Sequence, residues 1–93
     1  MTSSLTDEDL LAMEQRLAAT QPSPWTSHVE GRNHVSGSSF IQTGEGAARG
    51  DDIELNGATV ADQDFIAAAR QDMPRLLAEV RALRKLLASS RQQ

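Results

Sequence analysis

Apolar and polar residues alternate along the chain with three successive periodicities. Leu10, Met13 and Leu17 recur at i, i+3, i+7, with Leu11 widening the stripe, as one face of a helix requires. Thr6 is an N-cap residue with Asp9 three positions on, and Leu5 and Leu10 stand at the staple positions around it. Asp7, Glu8 and Asp9 place negative charge on the positive end of the helix dipole. Pro22 and Pro24 forbid continuation, so the pattern predicts a helix over 7–19.

From Trp25 the period becomes two. Trp25, Ser27 and Val29 alternate with Thr26, His28 and Glu30. Residues 31–34 read as a turn, residues 39–43 as a second strand rich in β-formers, and 44–50 as a flexible Gly-rich loop. Asp52-Ile53-Glu54-Leu55 forms a third alternating run, ended by Asn56-Gly57. The connections are too short for helical crossovers, so residues 25–57 are expected to form a three-stranded antiparallel β-meander.

Helical spacing returns at Thr59, another cap with Asp62 three residues later, and runs through Phe65, Ile66, Ala69 and Met73. Pro74 removes a backbone donor and crowds the preceding turn. Asp72 as a cap and Pro74 in a first turn favour a restart or sharp kink, giving a helical region over 60–89 with a break near 72–74. The expected fold is α+β in the order α-β-β-β-α-α, forming one small domain over residues 1–93.

The end of the chain carries the strongest apolar signal. Leu76, Val80, Leu83 and Leu87 are spaced four, three and four apart. On a wheel of about 100° per residue, Leu77 lies near +100° and Leu86 near −80° from Leu76, an arc of about 180°. That is wider than a two-helix seam and suits a helix touching two surfaces. One is its own chain; the other is a second copy, through Leu76, Val80, Leu83 and Leu87. Burial wholly inside one chain is the competing account.

Composition sharpens that reading. The 93 residues contain 36 apolar ones, of which 13 are Ala and one is Met1, leaving 22 large side chains and only three aromatics. Chains of this size are marginal alone and often add disulfides, a metal or a partner subunit. The absence of cysteine excludes disulfides and thiolate chemistry, which leaves self-association as the supplement.

Charge is uneven within a total of −4: residues 1–74 carry −8 and residues 75–93 carry +4. Cations spread around a helix near its C-terminal end satisfy its dipole. A nucleic-acid arm is the weaker account, because the acidic remainder repels a polyanion. No basic start with an apolar run and no stretch of about 20 apolar residues is present, so a cytoplasmic, membrane-free setting is expected.

Candidate chemistry is sparse. His28, His34 and Glu30 fall short of the four ligands of a structural zinc site. Gly44-x-Gly46-x-x-x-Gly50 has the wrong spacing for a dinucleotide fingerprint and no P-loop Lys-Ser/Thr. The carboxylates Asp51, Asp52 and Glu54 beside a Gly-rich loop read as solvated. These residues predict no enzyme, no metal and no cofactor. Trp25 is either an anchor of the first strand or a contact hot spot. Arg32 and Arg49 are the cations placed to meet a partner or the phosphate of a small ligand.

The residues 18–25, Ala-Ala-Thr-Gln-Pro-Ser-Pro-Trp, resemble the "AATPGPW" segment of a group of small proteins of actinobacterial phages and prophages, some termed Ead-like. The run Asp62-Gln63-Asp64-Phe65-Ile66-Ala67-Ala68-Ala69-Arg70 through Met73-Pro74 to Leu83-Arg84 is similar to their "DADFIAAARTDVPALLAEVRRLR" ending. The resemblance covers about half of the chain and leaves the strand region unmatched. It implies a context, a phage-linked accessory protein in the cytoplasm of a bacterial host, and transfers no functional residue. Together these features predict a non-enzymatic protein that binds a host protein and forms a homodimer through its last helix. A nucleotide-binding or sequestering protein is the alternative.

Overall fold

In the computed structural model, which describes residues 4–32 and 37–91, the elements follow the order α-β-β-α. They are α1 (Asp7–Ala18), β1 (Trp25–His28), β2 (Phe40–Thr43) and α2 (Val60–Arg91), with a short 3-10 turn at Gly46–Ala48. The chain is α+β, with an N-terminal helix, a two-stranded antiparallel hairpin and a long C-terminal helix.

Both helices start on the side chains that the sequence singles out. The Asp9 N–H donates to Thr6 Oγ1 at 3.0 Å while the Thr6 N–H donates to Asp9 Oδ2 at 2.9 Å. The Thr59–Asp62 pair repeats this reciprocal arrangement at 3.0 and 3.1 Å. Each box satisfies donors that helix geometry leaves without intrahelical partners. At its other end α1 stops one residue earlier than expected, with Ala19 as its C-cap.

Two expectations are corrected. The third strand at 52–55 reduces to one bridge, in which Ile41 and Ile53 exchange N–H···O bonds of 2.8 Å each. Thr43 Oγ1 donates to the Asp51 carbonyl at 2.7 Å two residues before the bridge, and the turn at Asn56-Gly57 comes after Glu54 and Leu55. Ile53 is half-buried against the hairpin, while Asp52 and Glu54 remain exposed, Glu54 accepting a hydrogen bond from Ser38. The meander is therefore a hairpin with one bridged flank. Likewise no second helix starts near 72–74, because Pro74 lies inside one continuous helix of 32 residues. Proline forfeits a single ladder bond, a local cost of about 3 kcal/mol. Strong helix formers on both sides keep the helix running.

The chain divides into two compact units. One takes Thr20–Gln71 and holds the hairpin with the first part of α2. Trp25 pairs with Thr43, Thr26 with Gln42, Ser27 with Ile41 and His28 with Phe40. Ile41 and Thr43 are fully buried, with Val29, Ala67 and Gln63 nearly so. The Gly-rich loop is tied rather than loose: the Gly44 N–H donates to Pro24 O at 2.9 Å and the Gly50 N–H to Thr43 O at 2.8 Å. Gly44 has φ +65°, and a Cβ there would lie 2.2 Å from the Ala48 carbonyl oxygen, so glycine is required.

The other unit takes α1 with α2 from Asp72 onward. Its buried large apolar side chains, among the described residues, are Leu10 and Leu77. Polar links join the two helices. Arg81 grips Glu14 with bonds of 3.0 and 2.7 Å, and Arg84 reaches Asp7 at 3.4 Å and the Leu5 carbonyl. Among the described residues no helix is long and apolar enough to cross a membrane.

Candidate interaction surface

The wide apolar arc of the last helix is split by its surroundings. Leu77 is 5% exposed, whereas Leu76, Leu83, Leu86 and Leu87 are 58%, 55%, 66% and 51% exposed. The split follows from helix geometry. Taking Leu76 as zero, Leu77, Arg84 and Arg81 stand near +100°, +80° and +140°. The guanidiniums on that side reach α1. Leu76, Leu83 and Leu87 lie within about 20° of zero and Leu86 near −80°, turned away from it. Val80, near +40°, is half-buried between the two faces.

Exposed single leucines are ordinary on protein surfaces; a contiguous row is what marks a contact site. Here four leucines recur along three turns of one helix face. Their acidic neighbours Asp72 and Glu79 sit on the same side, with Arg75 beside them. A shallow cleft of about 480 Å³ is lined there by Asp72, Arg75, Leu76 and Glu79. The surroundings of this face are apolar with a charged rim, the usual composition of a protein-contact patch.

The other residues selected from the sequence lie in the hairpin unit and have internal roles. Trp25 is half-buried at the start of β1, and its indole Nε1–H donates to the Gln21 carbonyl at 3.2 Å. Arg32 makes a two-bond fork to Asp64, 2.9 Å to each carboxylate oxygen. The hydrogen bond from Arg32, helped by one from Ser27, holds the Asp64 carboxyl down at about 2. Arg49 is bonded to Asp52 at 2.6 Å, a pairing three residues apart. An incoming phosphate would share either guanidinium with a carboxylate that already neutralises it.

His28 stacks on Phe40 with ring centroids 4.9 Å apart and meets Gln42 Oε1 at 3.0 Å, the setting of a hairpin residue. His34 lies outside the described residues. Among those described, no group of three His, Asp or Glu side chains is placed to hold a metal ion.

Sequence reasoning passed over two glutamines that organise the hairpin unit. Gln71 Oε1 accepts the Trp25 N–H at 2.7 Å, and its Nε2 donates to the Trp25 carbonyl at 3.0 Å. The side-chain amide thus pairs with β1 as a neighbouring peptide group would. Gln63, almost fully buried, donates from Nε2 to Ser27 Oγ, the His28 carbonyl and the Phe40 carbonyl at 2.9, 3.1 and 3.2 Å. Between them stands Ala67, 3% exposed, whose small side chain permits close approach. The signal was present as Gln63 and Gln71 at i and i+8 with the small Ala67 between them, a stripe set apart from Phe65, Ile66, Ala69 and Met73, the positions expected to be apolar. No protein-family model, curated protein or solved structure matches the chain.

Proposed function

We propose that this is a non-enzymatic interaction protein of phage origin, acting in the cytoplasm of its bacterial host, which self-associates through α2 and binds a host protein. The supporting observation for self-association is the row of exposed leucines at 76, 83, 86 and 87. The phage setting rests on the resemblance of residues 18–25 and 62–84 to actinobacterial phage proteins. Trp25, Arg32 and Arg49 are the secondary contact candidates. The two arginines already serve Asp64 and Asp52, which weighs against the nucleotide-binding alternative.

Magnitudes set the expected strength of self-association. Completing the burial of a half-exposed leucine contributes roughly 1 kcal/mol. Eight leucines across a two-fold pair then yield about 8 kcal/mol, within the ~4–15 kcal/mol that association itself costs. The surplus is about 4 kcal/mol at most, so the pair is weak, with a Kd of about 1 mM or higher. Sedimentation equilibrium tests it: the wild-type mass should rise toward twice 10.1 kDa with concentration, while Leu83→Glu should stay monomeric at all concentrations. A wild-type protein that remains monomeric throughout would remove the self-association reading.

A further inference from the structure

Resting on that self-association, we infer that the occupant of the leucine face is a second copy of the same helix running antiparallel. It sets Leu76 against the partner's Leu87 and Val80 against the partner's Leu83. One register accomplishes this. Spacings of four, three and four read the same in both directions, so a two-fold axis midway between Val80 and Leu83 brings all four residues into matched layers. Met73 then faces the partner's Ser90 at either end. Any antiparallel shift by a heptad leaves some of the four leucine-stripe residues without one another.

A parallel pair also matches the layers, and charge separates the two arrangements. The beginning of the segment carries Asp72 and Glu79 alongside Arg75, whereas its end carries only the cations Arg84, Lys85 and Arg91. Parallel alignment sets those cationic ends side by side and adds the two helix dipoles in the same sense. Antiparallel alignment sets each cationic end beside the acid-bearing start of its partner and opposes the dipoles. Arg81 and Arg84 remain engaged with Glu14 and Asp7, so the pairing requires no break within a protomer. Leu77, on the face already covered, takes no part.

The absence of cysteine in the chain makes the geometry testable by disulfide trapping. Two full-length single variants, Leu76→Cys and Leu87→Cys, are oxidised separately and as a 1:1 mixture with oxidised glutathione. Antiparallel pairing offsets each cysteine from its own copy by eleven residues, about 16 Å along the axis. A disulfide needs Cα atoms within ~7 Å, so the mixture should give roughly tenfold more covalent dimer than either variant alone, identified by mass as the mixed species.

Efficient trapping of each variant alone would overturn the antiparallel arrangement and leave self-association standing. A wild-type monomer in sedimentation would overturn both. A nitroxide on Ser90→Cys, outside the leucine layers, gives an independent reading that does not weaken them. Antiparallel pairing offsets the two labels by about 25 Å along the axis. Labels of a wild-type-like dimer closer than about 20 Å would contradict the proposal.

Discussion

In the unit of Thr20–Gln71 two nearly or fully buried side chains, Thr43 and Gln63, are polar, and each is satisfied by named backbone partners. In the unit of α1 and the later part of α2 the balance shifts: Leu10 and Leu77 are buried while Leu5, Leu11, Leu76, Leu83, Leu86 and Leu87 are exposed, against Val60 and Phe65 in the hairpin unit. The hairpin unit gains its definition from directional bonds that tolerate little change. The helical unit rests on two leucines and a few exposed ion pairs, and such pairs contribute ~1 kcal/mol or less. What the contrast teaches is that a thin core has two remedies. One is an internal polar clamp, and the other is apolar surface held in reserve for a partner.

Substitutions can break this contrast, and the largest effect should come from Gly44. Gly44→Ala forces a methyl against the Ala48 carbonyl at a positive φ, and should cost about 4 kcal/mol in urea unfolding. A loss below about 1 kcal/mol would mean the loop gives way and the hairpin unit is not tightly determined. Leu10→Ala comes next. It removes one of the two buried leucines of the helical unit and should cost about 3 kcal/mol.

Gln63→Ala should cost about 2 kcal/mol, since it empties a nearly buried position and removes the bonds that its Nε2 donates to Ser27, His28 and Phe40. Hydrogen exchange should localise the effect to β1 and β2. If the loss appears in α1 instead, the division of labour between the units fails.

Acid supplies a finer probe. Arg32 depresses the Asp64 carboxyl to about 2, below its value in an unfolded chain. A depressed carboxylate stabilises the fold above the ordinary aspartate range, and that contribution disappears as pH falls through about 2. Arg32→Gln should return the Asp64 midpoint toward 3.8 in an NMR titration. The stability gap between the two proteins should narrow with acidification. An unchanged midpoint would deny the fork its role.

The smallest effect on folding should come from Leu83→Glu, within about 0.5 kcal/mol for the monomer. Set beside Leu10→Ala, it shows whether the exposed leucines serve the partner or the protomer's own fold.

Several features were legible in the chain because they depend on neighbours a few residues away. Thr6 with Asp9 and Thr59 with Asp62 are reciprocal caps, and both boxes form. The two-residue alternation at Trp25–Val29 announced β1. The strand at 52–55 failed because alternation reports a residue's environment, not how many ladder bonds its backbone can reach. Pro74 misled for a related reason: local rules weigh the lost donor, while the remaining helix of 32 residues outweighs it cooperatively. Arg32 and Arg49 read as free cations because nothing in the chain reveals that Asp64 lies within reach of the first.

Local capping and spacing alone thus dictated where both helices begin, that antiparallel strands lie between them, and that the leucines of the last helix spread over half its circumference. Tertiary structure decided which half is covered. Leu77 and the arginines at 81 and 84 face α1, so Leu76, Leu83, Leu86 and Leu87 are left to solvent. The reason is geometric: a helix periodicity defines a stripe, but only a neighbour at a definite rotation divides that stripe into core and surface.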